Sequence, residues 1–314
     1  MRPTVSIVVV QYEPNREKIE RTLLSILTQE DQDFELLLAD DGSMHDEFVF
    51  SESILKRFHR TATFIKLSEN RGTVWNFWNA ISHANGTWVY GISPGDYLYD
   101  RKTVSWIKET AQKEDAAAFF GKAAYYTDKP ELKQLPGETP YDRSCYCKNT
   151  YSAKKIKRNM LLYDDGISGA CVVYERTQLL SALAEMKGRV KFAEDFALRL
   201  YAVQEKTISC YDRVLCWYED STGISNFHDI MHSDWQEMIL IMREKYPHDW
   251  TVYLACLYFF NGTRKSRILR GMVGRLIVPQ WLPFKRGQNN FKAPINGKLQ
   301  ELSRLYQMHQ EELS

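Results

Sequence analysis

The sequence has no excess of charge of one sign and no long hydrophobic run. Its 314 residues include 41 Lys and Arg against 40 Asp and Glu, which gives a formal net charge of +1. A general nucleic-acid-binding protein usually carries a strong basic excess, so no nucleic-acid partner is expected. The longest apolar run, over 252–260, is about half of the roughly 18 residues that a membrane-spanning helix requires. We therefore expect a folded protein without a transmembrane segment.

The few cysteines lack the spacing of a zinc site or of a disulfide framework. The six cysteines stand at positions 145, 147, 171, 210, 216 and 256. Cysteines separated by a single residue suit neither a zinc knuckle nor an ordinary disulfide. Free thiols in a reducing cytoplasm are expected instead. The first residues, one Arg and one Pro before a short apolar run, also lack the pattern of a signal peptide.

The glycine-rich loops that bind phosphates are missing as well. Neither G-x-G-x-x-G nor G-x-x-x-x-G-K-[ST] follows a predicted strand, which disfavours dinucleotide-binding and P-loop sites. A nucleotidyltransferase usually has a glycine-rich basic loop after its first strand. Here residues 11–14 are Gln-Tyr-Glu-Pro, so that class remains only as a weak alternative.

What the sequence does have is a regular alternation of strand and helix patterns in its first hundred residues. Strands are predicted over 5–10, 34–39, 63–67 and 87–92, with helices over 16–29, 48–59 and 74–84 between them. This β-α-β-α-β-α-β order predicts an α/β fold with an open, mostly parallel sheet flanked by helices. Beyond residue 101 helices are predicted over 102–114, 175–186, 192–204 and 233–260, with strands over 116–126 and 207–217.

Acidic residues follow three of the four predicted strands. Ligands of such sheets bind beyond the carboxyl ends of the strands, so these residues matter most. The four groups are Gln11-Tyr12-Glu13, Asp40-Asp41-Gly42-Ser43, Asn70-Arg71-Gly72 and Pro94-Gly95-Asp96. A nucleotide phosphate can lie beside carboxylates only if a divalent cation bridges them. Asp oxygens are the hard ligands that Mg²⁺ or Mn²⁺ prefers.

Eight short segments of the chain form a recognisable series. They are V-S-I-V-V-V-Q-Y (5–12), L-L-S-I-L-T-Q (23–29), F-E-L-L-L-A-D-D-G-S (34–43), N-R-G-T (70–73), N-G-T-W-V (85–89), G-D (95–96), S-G-A (168–170) and A-E-D-F (193–196). In this order they resemble the inverting glycosyltransferases of family 2, of the bacterial polysaccharide type, which have the Rossmann-like GT-A fold. The resemblance covers about residues 3–226. It implies a GT-A catalytic domain over 1–226, with a nucleotide-binding half (1–100) and an acceptor half (101–226), followed by a helical C-terminal extension over 227–314.

The resemblance implies a site for a nucleoside-diphosphate sugar, with a UDP-sugar favoured, in the first hundred residues. Tyr12, with Glu13 beside it, would stack on or flank the base. Asp41, together with Asp40, would accept a hydrogen bond from a base N–H. Arg71 would approach the nucleotide or its phosphates.

A divalent cation, Mg²⁺ or Mn²⁺, is implied by the G-D pair at Gly95 and Asp96. Asp96 matches the last, metal-binding carboxylate of the D-x-D-type motif of the family. The chain departs from that motif because Pro94 and Gly95 stand at the preceding carboxylate positions. One protein carboxylate plus the diphosphate can still hold Mg²⁺, which keeps several waters and uses few protein ligands.

Catalysis is assigned by the resemblance to Asp195 as the general base, with Glu194 orienting it or binding the acceptor. Inverting transfer is a single displacement, and its base must lie roughly 2.6–3.2 Å from the attacking oxygen. Taken alone, acids at the start of a helix are explained by favourable charge at its N-terminus. Ser168, Gly169 and Ala170 are predicted to line the sugar and acceptor cleft, a tight turn being the structural alternative.

The C-terminal extension contains a basic amphipathic segment over 262–287. Its seven basic residues are accompanied by no acid, so the remainder of the chain carries a net charge of −6. Such a segment is typical of a helix lying on an anionic membrane; a helix packed on the catalytic domain is the alternative. Membrane contact would suit a polyprenyl-diphosphate-linked saccharide acceptor. His228 and His232, four residues apart, are either solvated or contribute to the diphosphate site.

The sequence thus predicts a metal-assisted, inverting glycosyltransferase in surface polysaccharide assembly, such as that of O-antigen or capsule. It is expected in the cytoplasm, peripherally bound to the inner face of the plasma membrane. A non-catalytic sugar- or lipid-binding protein on the same scaffold is the alternative, because the second carboxylate of the motif is missing. The retained pair Glu194-Asp195 argues against that alternative.

Overall fold

The alternation predicted for the first hundred residues is present. A computed structural model describes residues 4–127, 133–135, 139–220 and 228–260. The first elements are β1 (Val5–Gln11), α1 (Arg16–Leu27), β2 (Glu35–Asp40), α2 (Phe48–Arg57), β3 (Thr63–Lys66), α3 (Thr73–His83) and β4 (Trp88–Ile92). Ile7, Val8 and Val9 are completely buried, as expected for a strand with helices on both faces of its sheet.

The later elements complete one mixed sheet. They are β5 (Tyr97–Leu98), α4 (Thr103–Ala111), β6 (Ala118–Thr127), β7 (Lys133–Gln134), α5 (Ala153–Leu162), β8 (Val172–Glu175), α6 (Arg176–Met186), α7 (Ala197–Val203), β9 (Ile208–Glu219), α8 (His228–Lys245) and α9 (Trp250–Phe260). The strand order is β3-β2-β1-β4-β8-β6-β9-β5, with β7 paired to β6. Strands β3, β2, β1 and β4 are mutually parallel, whereas β8 joins β4 in the antiparallel sense.

Local sequence signals explain where α1 begins and which face it buries. The Asn15 side chain accepts a hydrogen bond from the Lys18 N–H at 3.3 Å, which satisfies one of the donors at the helix start. Ile19, Leu23 and Ile26 recur at helical spacing and are completely buried. Burying each such side chain contributes roughly 1.5–3 kcal/mol to folding. This packing holds α1 against the sheet beside the loops that follow the strands.

Two predicted helices differ in detail from the structure. The helix predicted over 192–204 is a short 3₁₀ turn, Glu194–Phe196, followed by α7. The region 233–260 contains two helices, α8 and α9, because the chain turns between 246 and 249. The 3₁₀ turn places two acidic side chains at the start of α7 rather than inside a regular helix.

The described part of the C-terminal extension packs on the rest of the molecule. Helix α8 contacts α6, and α9 contacts α5. Buried apolar side chains of these helices, among them Met238, Ile239, Met242 and Val252, belong to the same hydrophobic core as the sheet. The basic segment over 262–287 lies outside the described residues. Within the described part of the chain, the model contains no helix with both the length and the apolar character that crossing a membrane would require.

Candidate active site

Asp40, the last residue of β2, holds the loop that follows the strand. Its side chain is buried and accepts hydrogen bonds from the Ser43 N–H at 2.7 Å and from the Ser43 hydroxyl at 2.8 Å. The Gln11 side-chain amide donates to it at 3.2 Å. Gly42 lies at φ +75°, and a Cβ there would overlap the Glu69 backbone, so only glycine fits this turn. Asp40 therefore joins the ends of β1 and β2.

Asp41 ties the same loop to the next one along the sheet edge. One carboxylate oxygen accepts the Arg71 N–H and the other accepts the Gly72 N–H, both at 2.8 Å. Burial raises the pKa of Asp41, although these two hydrogen bonds act in the opposite direction. The predicted base-binding carboxylate is thus firmly placed by the N-R-G-T segment.

The other predicted donor-site residues of the first three strand-end loops lie in the loops on either side of Asp40 and Asp41. They are Tyr12, Glu13 and Arg71. The Tyr12 side chain is 51% exposed, so its ring is accessible to a stacking partner. Glu13 joins the first and second loops, because its N–H donates to the Ser43 hydroxyl at 2.8 Å and its carboxylate accepts the Met44 N–H at 2.6 Å. The exposed Arg71 guanidinium binds Glu69 at 2.8 Å and lies 4.8 Å from the ring centre of Trp75.

Asp96 lies at the end of the fourth loop with only 8% of its surface exposed. Burial, reinforced by the nearby charge of Glu219, raises its pKa to about 7. Its carboxylate accepts the Glu219 N–H at 3.0 Å, and the Lys18 ammonium binds the Glu219 carboxylate at 2.5 Å. Gly95, at φ +109°, leaves room for that carboxylate, since a Cβ there would lie 3.1 Å from it.

Glu219 was not predicted as a site residue. It reaches Asp96 because β5 pairs with β9 next to it in the sheet, a contact between segments more than a hundred residues apart. The one sequence signal that could have indicated it is the acidic pair Glu219-Asp220, which follows the strand predicted over 207–217. Two-residue strands such as β5 leave no periodic pattern, so the pairing was not predictable.

The metal-binding prediction rests on Asp96 alone, and the structure places the carboxyl group of Glu219 beside it. Both offer the carboxylate oxygens that Mg²⁺ and Mn²⁺ prefer. In the described ranges, no cluster of three or more His, Cys, Asp or Glu side chains is arranged to hold a metal ion. His232 is exposed and packs against Phe259 at 5.8 Å between ring centres; the side chain of His228 lies outside the described residues.

Glu194 and Asp195 form a pair of half-buried carboxyls. Burial raises the pKa of Glu194, and repulsion from Asp195 adds to it. Burial also raises the pKa of Asp195, against the favourable charge of Arg199. Asp96 is close enough that its charge contributes to the raised pKa of Glu194. A carboxylate with a raised pKa is a better proton acceptor near neutral pH than an ordinary one.

The S-G-A segment lies directly against this pair. A Cβ on Gly169 would stand 3.1 Å from the Asp195 Cβ and 3.3 Å from a carboxylate oxygen of Glu194. The Tyr90 hydroxyl of β4 donates to the Ala170 carbonyl at 2.6 Å, and the Ser168 N–H donates to the Thr139 hydroxyl at 3.1 Å. The segment is fixed from both sides, and glycine at 169 allows the close approach.

Residues just before the acidic pair meet the loops of the first half of the chain. The Val74 N–H donates to the Lys191 carbonyl at 3.1 Å. Gly72, at φ +89°, lies so close to Lys191 that a Cβ would overlap its carbonyl oxygen. The structure therefore brings the loops of Asp41 and Arg71 together with the loop of Glu194 and Asp195.

Comparisons with known proteins extend these observations. A sequence model described as Glycosyl transferase family 2 matches residues 6–178. A search of curated proteins found no match. Residues 1–349 of S. aureus TarS in complex with UDP-GlcNAc are structurally similar, with a TM-score of 0.58 and 17% sequence identity. That similarity covers 82% of this chain and 72% of the other.

Two further TarS structures give the same result. The complex of residues 1–349 with UDP has a TM-score of 0.56 and 17% identity, covering 88% of this chain and 77% of the other. A crystal structure of S. aureus TarS has a TM-score of 0.54 and 15% identity, covering 87% of this chain and 52% of that one. At these identities the likeness concerns the fold, and it confirms the predicted α/β, GT-A architecture.

Proposed function

This chain belongs to glycosyl transferase family 2 and is a glycosyltransferase, and we propose that it transfers one sugar from a nucleoside-diphosphate sugar to an acceptor hydroxyl with inversion at the anomeric carbon. A UDP-sugar is the favoured donor, because the structurally similar TarS protein has been obtained with UDP-GlcNAc and with UDP. The observation that carries the proposal is the close approach of Gly169 to Glu194 and Asp195. The loop of these two acids is joined to the strand-end loops through Lys191.

Asp195 acts as the general base in this proposal. It removes the proton of the acceptor hydroxyl while the acceptor oxygen bonds to the anomeric carbon and the bond to the diphosphate breaks. Its raised pKa suits this task, since a stronger base accepts the proton more readily. Glu194, whose pKa is also raised, holds its proton more tightly than an ordinary Glu and donates a hydrogen bond to the acceptor or to Asp195.

The donor lies across the strand-end loops. The exposed ring of Tyr12 stacks on the base, as aromatic rings do with planar π systems. Asp41 accepts a hydrogen bond from a base N–H in addition to the two backbone donors that fix it. The Arg71 side chain leaves Glu69 and binds the phosphates. Its ion pair with Glu69 is exposed, and exposed ion pairs are weak, so little free energy is lost when it breaks.

A divalent cation fits the residues around Asp96. Burial and the charge of Glu219 raise the pKa of Asp96, and a bound cation would relieve the repulsion between the two carboxylates. We propose that Asp96 holds Mg²⁺ or Mn²⁺ together with diphosphate oxygens and water. When bound, the cation neutralises charge on the leaving diphosphate.

The acceptor and the location of the enzyme are proposed from the basic segment over 262–287. Seven basic side chains between apolar ones suit contact with an anionic membrane surface. Such contact fits a polyprenyl-diphosphate-linked saccharide, surface polysaccharide assembly, and a cytoplasmic enzyme on the inner face of the plasma membrane. The full chain should float with vesicles rich in anionic lipid. A variant that combines Arg267→Gln, Arg270→Gln and Arg275→Gln should bind these vesicles less. Unchanged vesicle binding by that variant would contradict the proposed membrane contact.

The donor proposal is tested by thermal unfolding of the full chain with a panel of UDP- and GDP-sugars, each with and without Mn²⁺. A cognate donor binds the folded state only, so it should raise Tm in proportion to its occupancy. We expect one UDP-sugar to raise Tm, more so with Mn²⁺, and Asp96→Ala to remove the effect of the metal. The absence of a shift with every nucleotide sugar would oppose the proposed donor site.

A further inference from the structure

The loop that carries Glu194 and Asp195 is held by a side chain of α8. The carboxylate of Asp234 accepts the backbone N–H groups of the three residues that precede the pair: Lys191 at 2.9 Å, Phe192 at 2.6 Å and Ala193 at 3.0 Å. Asp234 is buried, with 4% of its surface exposed. Hydrogen bonds to a charged acceptor are roughly twice as strong as neutral ones, so three of them fix this stretch of backbone.

The next residue of α8 holds the other side of the pair. The Trp235 ring packs edge-on against Phe196, with 5.5 Å between ring centres. The buried Arg199 guanidinium lies 4.1 Å from the Trp235 ring and 4.3 Å from the Phe196 ring. Asp234 and Trp235 thus contact the chain immediately before and immediately after Glu194 and Asp195.

The loop held by Asp234 also touches the strand-end loops. The Lys191 carbonyl accepts the Val74 N–H, while the Lys191 N–H donates to Asp234. Moving Asp234 would therefore shift the backbone that lies between Gly72 and the acidic pair. Reacting groups misplaced by about 1 Å can lose about 100-fold in rate.

We propose that Asp234 is a positioning residue for the transfer reaction, which sets the place of Asp195 by fixing residues 191–193. The inference rests on the proposed function, in which Asp195 is the base. Helix α8 follows the catalytic domain predicted over 1–226. If Asp234 has this role, α8 is nevertheless part of the catalytic structure. Asp234 itself is not expected to touch donor or acceptor.

The test compares three variants with the wild-type full chain in steady-state kinetics. Asp234→Asn removes the charge and one of the two acceptor oxygens, and Asp234→Glu keeps the charge but moves the oxygens. Asp229→Asn makes the same change at an exposed position of the same helix. We expect kcat to fall about 10- to 100-fold in both Asp234 variants, with little change in the donor KM, and to stay at the wild-type value in Asp229→Asn.

The pH profile separates positioning from a loss of folded protein. Besides Asp195, the charges of Asp96 and Asp234 raise the pKa of Glu194. The charges of Asp164 and Asp234 raise the pKa of Asp195, and the charge of Arg199 lowers it. Because the Asp234 charge raises the pKa of both carboxyls, Asp234→Asn should move the acid limb of kcat to lower pH. Asp234→Glu should leave that limb in place. Calorimetric titration with donor gives the active fraction of each variant.

Two outcomes are decisive. Wild-type kcat in the folded Asp234 variants, or a fall in kcat explained by a smaller active fraction, overturns the inference. Asp195→Asn is measured in the same assay: if it keeps turnover, the proposed base is wrong, whereas if it loses turnover while Asp234→Asn does not, only the positioning role fails.

Discussion

Two acidic pairs, Asp40-Asp41 and Glu194-Asp195, have similar chemistry and different surroundings. Asp40 accepts hydrogen bonds from Ser43 of its own loop and from the Gln11 side chain, and Asp41 accepts them from the N–H groups of Arg71 and Gly72 in another loop. Burial raises the pKa of Asp41 as well, but its two backbone N–H partners act against that rise. In the half-buried second pair, burial and nearby like charges raise the pKa values of both carboxyls. Carboxylates with several N–H partners fix the shape of a loop, whereas a pair of neighbouring carboxyls whose like charges add to a raised pKa suits proton transfer.

The largest effect expected from this contrast is in Asp195→Asn. The amide cannot accept the acceptor proton, and removing a general base costs typically 10²–10⁴-fold. We expect kcat to fall about 1000-fold while calorimetry still detects the donor with near wild-type affinity. A variant with more than about a tenth of the wild-type kcat would end the assignment of Asp195 as base.

The matching substitution in the first pair, Asp41→Ala, should act on stability. It leaves the Arg71 and Gly72 N–H groups without their acceptor, and each buried unsatisfied donor costs about 1–3 kcal/mol. Urea unfolding should give a free energy of unfolding lower by about 2–5 kcal/mol. The exposed Glu52→Gln on α2, side chain 50% exposed, is the control and should change it little. If Asp41→Ala had the same free energy of unfolding as wild type, the proposed structural role of the first acidic pair would be wrong.

Asp96 should make the protein less stable as pH rises. In the folded protein it keeps its proton up to about pH 7, whereas the unfolded chain releases it near 3.8. Between these values the folded state binds more protons, so the free energy of unfolding falls with increasing pH. Asp96→Asn, which keeps an oxygen for the Glu219 N–H, should therefore gain stability over wild type, on the order of 2–4 kcal/mol at pH 8 and little at pH 4.

That pH dependence is measured by urea unfolding of both proteins at several pH values. A difference between them that is constant with pH would contradict the raised pKa of Asp96. Added Mn²⁺ should narrow the difference above pH 7 if the cation binds at Asp96, since binding to the folded state alone stabilises it.

The smallest effect is expected for Gly169→Ala. The added methyl group would lie 3.1 Å from the Asp195 Cβ, so Asp195 must shift by a few tenths of an ångström. We expect kcat to fall about 10-fold, because reaction rate is sensitive to the placement of the base. Gly188→Ala tests a glycine with a positive φ whose Cβ would meet only the Trp75 ring at 4.0 Å; it should reduce stability without reducing kcat. Equal kcat losses would oppose a role of position 169 in the cleft.

The sequence anticipated the strand-end positions because they depend on local patterns. The buried run of β1 and the Asp-Asp-Gly-Ser turn at the end of β2 are both readable over a few residues, and both are present. The order of the family motifs predicted the GT-A fold correctly. Local patterns could not show that Asp41 is tied by the Arg71 and Gly72 backbone, since a hydrogen bond across thirty residues depends on tertiary packing.

Long-range contacts explain what was missed. Glu219 reaches Asp96 through the pairing of β5 with β9, and Asp234 reaches residues 191–193 through the packing of α8. In sequence, Asp234 is one acid among the polar residues of a long helix. Only its burial against three backbone N–H groups distinguishes it from exposed acids such as Asp229.

The central claim is an inverting transfer with Asp195 as base, and the anomeric configuration of the product tests it most directly. Proton NMR of a reaction run with the cognate UDP-sugar and acceptor gives that configuration from the anomeric coupling constant. An α-linked donor should give a β-linked product, formed by wild type and not by Asp195→Asn. An α-linked product would contradict a single displacement and with it the proposed role of Asp195.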